Sequence, residues 1–208
     1  MKGLLLDTSD RNAFIALSDD GTLSSSFVSS SKSSSTLVAD IKGFLEKAGV
    51  ALSSLHYIAI GIGPGSFLGT RIGVIIAKSL AYGLKIPIVS FCSLQAYSVD
   101  TLGSFFVLSD AKSKGVYLLK GTHTSEGLSY EDSPSLYSAQ ELKTFLDDTS
   151  LFVTPHQEVL LRTMPFLAPY LKTASVSLPF LCDYCYKKIS SSQIETLDSL
   201  HIHYLRLS

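Results

Sequence analysis

Four short clusters in this chain carry residue types capable of chemistry. The first is GIGPGSFLGTRIG, from Gly61 to Gly73, with Gly61, Gly63 and Gly65 around Pro64, then Ser66 and Arg71. Glycine and proline bend the backbone sharply there, and such a turn entering a helix can hold an anion at the helix N-terminus. The second, Asp7-Thr8-Ser9, ends an apolar run and could place a phosphate or a metal-bound water. A similar Asp110-Ala111-Lys112 follows an apolar run in the second half. The fourth is Cys182-Asp-Tyr-Cys185 with His201 and His203, two thiols and two imidazoles that together could make a tetrahedral zinc site.

Each cluster also has a plainer reading. The glycine loop is not a dinucleotide fingerprint, because Ser66 stands where the third glycine belongs. It is not a phosphate-binding Walker loop either, having no Gly-Lys-Ser/Thr. Asp7 could simply cap a strand-turn junction. Arg71 in a first helical turn opposes the macrodipole, so it either meets a carboxylate or phosphate or snorkels along the surface. The histidine spacing is wrong for a zinc finger, and cysteines in a helical segment are more often buried apolar groups. The five histidines offer no i, i+4 pair for a metalloprotease. No G-x-S-x-G elbow supports a serine hydrolase.

The elements that must position these residues follow from pattern. Apolar runs predict strands at 2–6, 13–17, 22–28, 57–61 and 87–89, with Asp19-Asp20-Gly21 as a hairpin turn. A serine-rich connection, 29–35, leads into Leu37, Val38, Ile41, Phe44, Leu45 and Ala48, which recur at helical spacing until Gly49. A second helix is expected over 69–83. There Gly69, Gly73, Ala77 and Ala81 recur every fourth residue and share one stripe. Glycine costs a helix interior about 1 kcal/mol relative to alanine, so Gly73 calls for close approach by something, read here as a helix of another chain.

The second half begins as the first does, with strands at 105–108 and 115–119 around Asp110. Beyond it the pattern predicts a helix over 139–146, a strand at 151–153, helical pieces near 156–171 and 179–189, and a closing strand at 201–207. The order β-β-β-α-β-α-β, repeated in degraded form, predicts an α/β protein of two duplicated lobes with mixed sheets flanked by helices, 1–100 and 101–208, the last strand returning to either lobe.

Composition narrows the classes. Of the 208 residues 46% are hydrophobic and 17% charged, with a formal net charge of −1, which disfavours a chain that grips nucleic acid by itself. The longest apolar candidate for a membrane span, 72–84, is interrupted by Lys78 and falls short of the ~20 residues required. Three cysteines and no signal-peptide pattern lead to the expectation of a cytoplasmic chain.

On these residues the chain resembles the TsaB (YeaZ) family. The motif G-P-G-S-F-x-G-x-R-x-G stands at Gly63, Pro64, Gly65, Ser66, Phe67, Gly69, Arg71 and Gly73, continued by Ala77, Lys78, Leu80 and Ala81. The opening Asp7-Thr8, the second-lobe Asp110, Ala111, Lys112, Val116 and Tyr117, and the closing Tyr204-Leu205-Arg206 also fit. The resemblance implies an actin-like (ASKHA) fold with a reduced second lobe. It implies a dimerisation subunit that pairs with the catalytic TsaD subunit, joined by the ATPase TsaE, for threonylcarbamoyl transfer to the tRNA adenine beside the anticodon. No catalytic residue, metal or cofactor of its own is expected. ATP is used by the complex, tRNA is reached only through it, no membrane is involved, and a homodimer forms when the chain is alone.

The resemblance places the pairing surface on the two first-lobe helices. With the stripe, this names Leu37, Ile41, Phe44, Gly69, Arg71, Gly73, Ala77 and Ala81 as interface residues. Asp7, Thr8, Gly63, Gly65, Ser66 and Asp110 remain a vestigial nucleotide or phosphate site. Actin-like ATPases carry a glycine two places after the Asp, and here Ser9 and Lys112 stand there. Three positions depart from the family pattern: Ser33 for a His, Lys112 for an Arg with loss of its bidentate fork, and Leu68 for a Thr. A stand-alone actin-fold phosphotransferase using Asp7 and Asp110 is the alternative reading.

Overall fold

Strand β1 (Lys2–Asp7) is central to the first sheet, and its Leu4, Leu5 and Leu6 are fully buried. Successive strand residues face opposite sides, so such a run needs cover on both faces. The computed structural model describes residues 1–10, 13–29, 34–112, 115–144, 146–147 and 150–203. Ser33, Tyr204, Leu205 and Arg206 lie outside the described residues.

Antiparallel β2 (Ala13–Asp19) and β3 (Thr22–Ser29) flank β1 on one side, and parallel β4 (Tyr57–Gly61) and β5 (Ile88–Phe91) on the other. The sheet order is β3-β2-β1-β4-β5. The β2–β3 turn takes φ of 47° at Asp20 and 81° at Gly21, the left-handed pair a tight hairpin requires. The parallel crossovers are α1 (Ser34–Lys47) and α2 (Phe67–Leu84). Leu37, Ile41, Phe44 and Leu45 of α1 and Val74, Ala77 and Ala81 of α2 share one core with Leu4, Leu6, Ile58 and Ile60. With 18 residues α2 is long and apolar enough to cross a bilayer, longer than the 72–84 run expected. Here its buried face instead packs on the sheet.

The second unit repeats this plan. A short strand, β6 (Tyr97–Ser98), precedes β7 (Gly103–Asp110), β8 (Val116–Thr124), β9 (Gly127–Tyr130) and β10 (Ser135–Tyr137). Then come α3 (Ala139–Lys143), β11 (Phe152–Thr154), α4 (Gln157–Thr163), β12 (Leu171–Thr173) and β13 (Ser175–Val176). The order β10-β8-β7-β11-β12 places β7 as β1 stands in the first sheet, with an antiparallel neighbour on one side and two parallel strands on the other. The duplication is therefore present, and the reduction falls on crossover helices of 5 and 7 residues. Ser138 and Glu141 cap α3 reciprocally.

The boundary between units differs from the expected division at 100. The first unit is Met1–Ser93 with Leu178–His203, and the second begins at Leu94. The reason lies in α5 (Leu178–Ser190), whose Leu181, Cys182 and Cys185 are completely buried and which lies on β1, β2, β3 and β5. This helix covers the second face of the first sheet. The chain after it is held by Glu195, which accepts from the Ser90 amide at 3.1 Å and pairs with Lys188 at 3.3 Å. Residues 201–203 are not in a strand, contrary to the expected 201–207.

Beneath α5, Ser18, Gly3 and Tyr57 form one row across β2, β1 and β4. Gly3 has no side chain, so the Tyr57 ring lies over it; a β-carbon there would overlap the ring. The Tyr57 and Ser18 hydroxyls are both buried and neither makes a hydrogen bond of acceptable geometry. Burial pushes the Tyr57 phenol well above its usual range. An orphaned buried hydroxyl costs roughly 1–3 kcal/mol. Tyr57→Phe is therefore expected to stabilise the fold by up to about 1 kcal/mol, read as a higher urea midpoint of unfolding at unchanged m-value.

Candidate functional site

The turn after β1 and the glycine loop after β4 are packed into one another. Asp7, Thr8 and Ser9 are 4%, 7% and 8% exposed. The Ser9 amide donates to Asp7 Oδ1 at 2.7 Å, an Asx turn that bends the chain back on itself. The Ser9 carbonyl then accepts from the Ser66 amide at 2.6 Å. Ser66 is the N-cap of α2, its hydroxyl accepting from the Gly69 amide at 3.2 Å. Thr8 Oγ1 donates to the Gly69 carbonyl at 2.7 Å, and the Gly63 amide donates to Ser93 Oγ at 2.9 Å.

This meshing accounts for the glycines of the motif. A β-carbon at Gly69 would overlap the Thr8 carbonyl oxygen, and one at Gly73 would overlap Thr8 Oγ1. Gly61 and Gly65 likewise adjoin the Asp7 carboxylate and Ser9. The stripe of small residues thus admits the chain's own β1 turn and sheet, not a helix of another chain. The interface role expected of Gly69, Gly73, Ala77 and Ala81 is corrected accordingly: Gly73 is buried, Ala77 is 0% and Ala81 2% exposed. Leu37, Ile41 and Phe44 are corrected for the same reason, being buried in the core of the first unit. Spacing alone gives a helix face, and does not say whether a sheet or a partner fills it.

The opposite face of α2 was not singled out by that pattern. Leu68 is 65%, Ile75 64% and Tyr82 75% exposed, and Arg71 and Ser79 are exposed between them. These five positions make one stripe at helical spacing. Phe67 is 58% exposed beside it, with the Arg71 guanidinium 3.8 Å from its ring centroid, a cation–π contact. On α1 Val38 is 54% exposed. No local signal in the sequence marks this face, because both faces of the helix carry apolar residues at the same spacing. Of the expected interface residues Arg71 alone lies on it.

The structure brings Asp7, Thr8, Gly63, Gly65 and Ser66 together, and their polar groups bond within the chain as described. Asp110 belongs to the second unit, where it accepts from the Lys112 amide at 2.7 Å, the same Asx turn as Asp7. Lys112 takes a left-handed φ of 59°. Among the described residues no three His, Cys, Asp or Glu side chains converge as metal ligands. Cys182 and Cys185 are core residues, and burial raises both thiols, Cys182 to about 11.

Burial also raises the Asp7 carboxyl above its ordinary value, against hydrogen bonds from Ser9 and Ser93 that lower it. A raised folded-state pKa means that Asp7 favours the fold below the unfolded pKa of about 3.9, and that this contribution is lost as pH rises through the folded value. Asp7→Asn is therefore expected to be more stable than the parent at pH 7, the gap closing as pH falls towards 4, read by thermal unfolding across that range. The lock itself is tested by a double-mutant cycle. Gly73→Ala should destabilise by about 1–3 kcal/mol, and Thr8→Ala in the same chain should recover part of that loss; strictly additive effects would contradict the contact.

Comparison with known proteins accords with this geometry. The family model described as "TsaD: tRNA N6-adenosine threonylcarbamoyltransferase" matches residues 27–133, just over half of the chain. Two curated relatives are named "tRNA threonylcarbamoyladenosine biosynthesis protein TsaB". The one from Escherichia coli is 33% identical over 96 residues, covering 46% of this chain and 42% of its own. That from Bacillus subtilis is 33% identical over 99 residues, covering 47% and 43%. The chain thus spans less than half the length of the curated relatives it matches. The solved structure of YeaZ from Pseudomonas aeruginosa superposes with a TM-score of 0.80 at 22% identity, covering 98% of this chain and 99% of that one, which establishes the common fold. Matched by that model over more than half of its length, the chain belongs to the family described as TsaD, tRNA N6-adenosine threonylcarbamoyltransferase, and within it is similar to proteins named TsaB and YeaZ.

Proposed function

We propose that this chain is a non-catalytic platform in threonylcarbamoyladenosine biosynthesis, pairing through the outward faces of α1 and α2 with a TsaD-type catalytic subunit. The observation that carries the reading is the exposed stripe Leu68, Arg71, Ile75, Ser79 and Tyr82, beside exposed Val38. Ranked apolar side chains on a rigid helix favour burial against a protein partner. The β1 turn acts behind that surface: Thr8 and Ser9 hold the first turn of α2 and so fix where Phe67, Leu68 and Arg71 project.

In this role the chain supplies binding energy and position while the partner transfers threonylcarbamoyl to the tRNA adenine beside the anticodon. It needs no cofactor or metal of its own. A TsaE-type ATPase joins the pair and consumes ATP, tRNA is met only in the assembly, and the setting is the cytoplasm. A net charge of −1 is consistent with tRNA being gripped elsewhere.

Co-purification with a tagged catalytic subunit tests the proposal. Leu68→Glu and Ile75→Glu are expected to cut recovery of the partner at least about tenfold with unchanged circular dichroism, since a charge buried at an interface costs more than the ~1.4 kcal/mol that tenfold represents. Undiminished capture by both variants would overturn it. ATP binding and turnover by the isolated chain would favour a phosphotransferase instead.

A further inference from the structure

We propose that Lys188 and Glu195 together stand in for a further strand beside β5, and close that edge of the first sheet against strand addition by another chain. β5 ends the order β3-β2-β1-β4-β5, so a neighbouring strand lies on one side of it only. The Pro87 and Phe91 carbonyls turn towards that neighbour, accepting from the Ile58 and Ile62 amides. The backbone groups of Ile88 and Ser90, at the alternate positions, turn the other way.

Glu195 meets them there. Its amide donates to the Ile88 carbonyl at 3.1 Å, forming one antiparallel backbone bridge. At Ser90 side chains take over from backbone. Glu195 Oε2 accepts from the Ser90 amide at 3.1 Å, and Lys188 Nζ donates to the Ser90 carbonyl at 2.9 Å. A carboxylate thus fills the place of a strand's carbonyl, and an ammonium the place of its amide. Glu195 Oε1 also accepts from Ser90 Oγ at 2.5 Å and from Lys188 Nζ at 3.3 Å. Lys188 and Glu195 are only 17% and 22% exposed. An ion pair so far withdrawn from water needs further hydrogen bonds, and Ser90 supplies them.

The edge has reason to be closed. Ile88 to Leu94 reads Ile-Val-Ser-Phe-Cys-Ser-Leu, with no charge, proline or glycine. A run of this kind on an open edge pairs readily with a strand of another molecule. Its guard comes from far along the sequence, since Lys188 and Glu195 follow Ser90 by 98 and 105 residues. The edge is therefore closed only when the first unit is complete.

Variants of the full chain test the guard. Lys188→Ala with Glu195→Ala should speed exchange of the Ser90 amide with solvent about tenfold, because a hydrogen bond to a charged group is lost. Light scattering should then show association about tenfold faster than the parent's, with native circular dichroism retained. In the associated material the Ser90 amide should be protected again, now by another chain. Glu195→Gln keeps an acceptor for that amide and removes only the charge, so it should show the same changes at smaller size. Unchanged Ser90 exchange in both variants overturns the plug. Faster exchange without faster association overturns its guarding role, and so does association that proceeds with loss of the native circular dichroism.

Discussion

The first unit depends on how closely the backbone of Thr8 approaches α2. Its carbonyl oxygen and hydroxyl occupy the space where β-carbons at positions 69 and 73 would stand, and the hydroxyl spends its hydrogen on the Gly69 carbonyl. An interior without room for one methyl group transmits such a contact instead of absorbing it. The glycine loop, the N-cap at Ser66 and the Asx turn at Asp7 are arranged around that approach. A motif that looks like ligand chemistry is thus largely the seat of a helix.

That seat divides α2 into two faces with different tasks. The small face lies on β1 and β4 and shares a core with α1. The bulky face carries Leu68, Ile75 and Tyr82 into the open. Both repeat at the spacing of a helix, and both are apolar. Which of them is covered depends on the sheet behind, a fact of tertiary structure that no local pattern contains.

The limits of reading this sequence follow from the same cause. Elements with strong periodicity were legible: β1 to β5, α1, α2 and the repeat beginning at β7. So were the Asp7 and Asp110 turns, because an Asp after an apolar run has few other uses. The two- and three-residue strands β6, β12 and β13 were not, since so short a run carries no measurable alternation, whereas β5 and β11, nearly as short, stood out as buried apolar runs. The role of Gly73 was half legible: its cost demanded a close neighbour, yet the neighbour proved to be Thr8, 65 residues earlier in the same chain. The exposed stripe was written in plain sight as Leu68, Ile75 and Tyr82, but apolar residues on an apolar helix give no sign of which ones face out.

The return of Leu178–His203 to the first sheet has a consequence for how the polypeptide is made. The second unit is topologically an insertion, so synthesis must deliver it before α5 can cover the far side of β1, β2, β3 and β5. Until then Leu5, Tyr57 and Ala59 have no lid, and a nascent chain carries a half-clad sheet on the ribosome. Contacts spanning so much sequence close slowly, because loop entropy must be lost before they form. The N-terminal half is the first part translated and the last part finished.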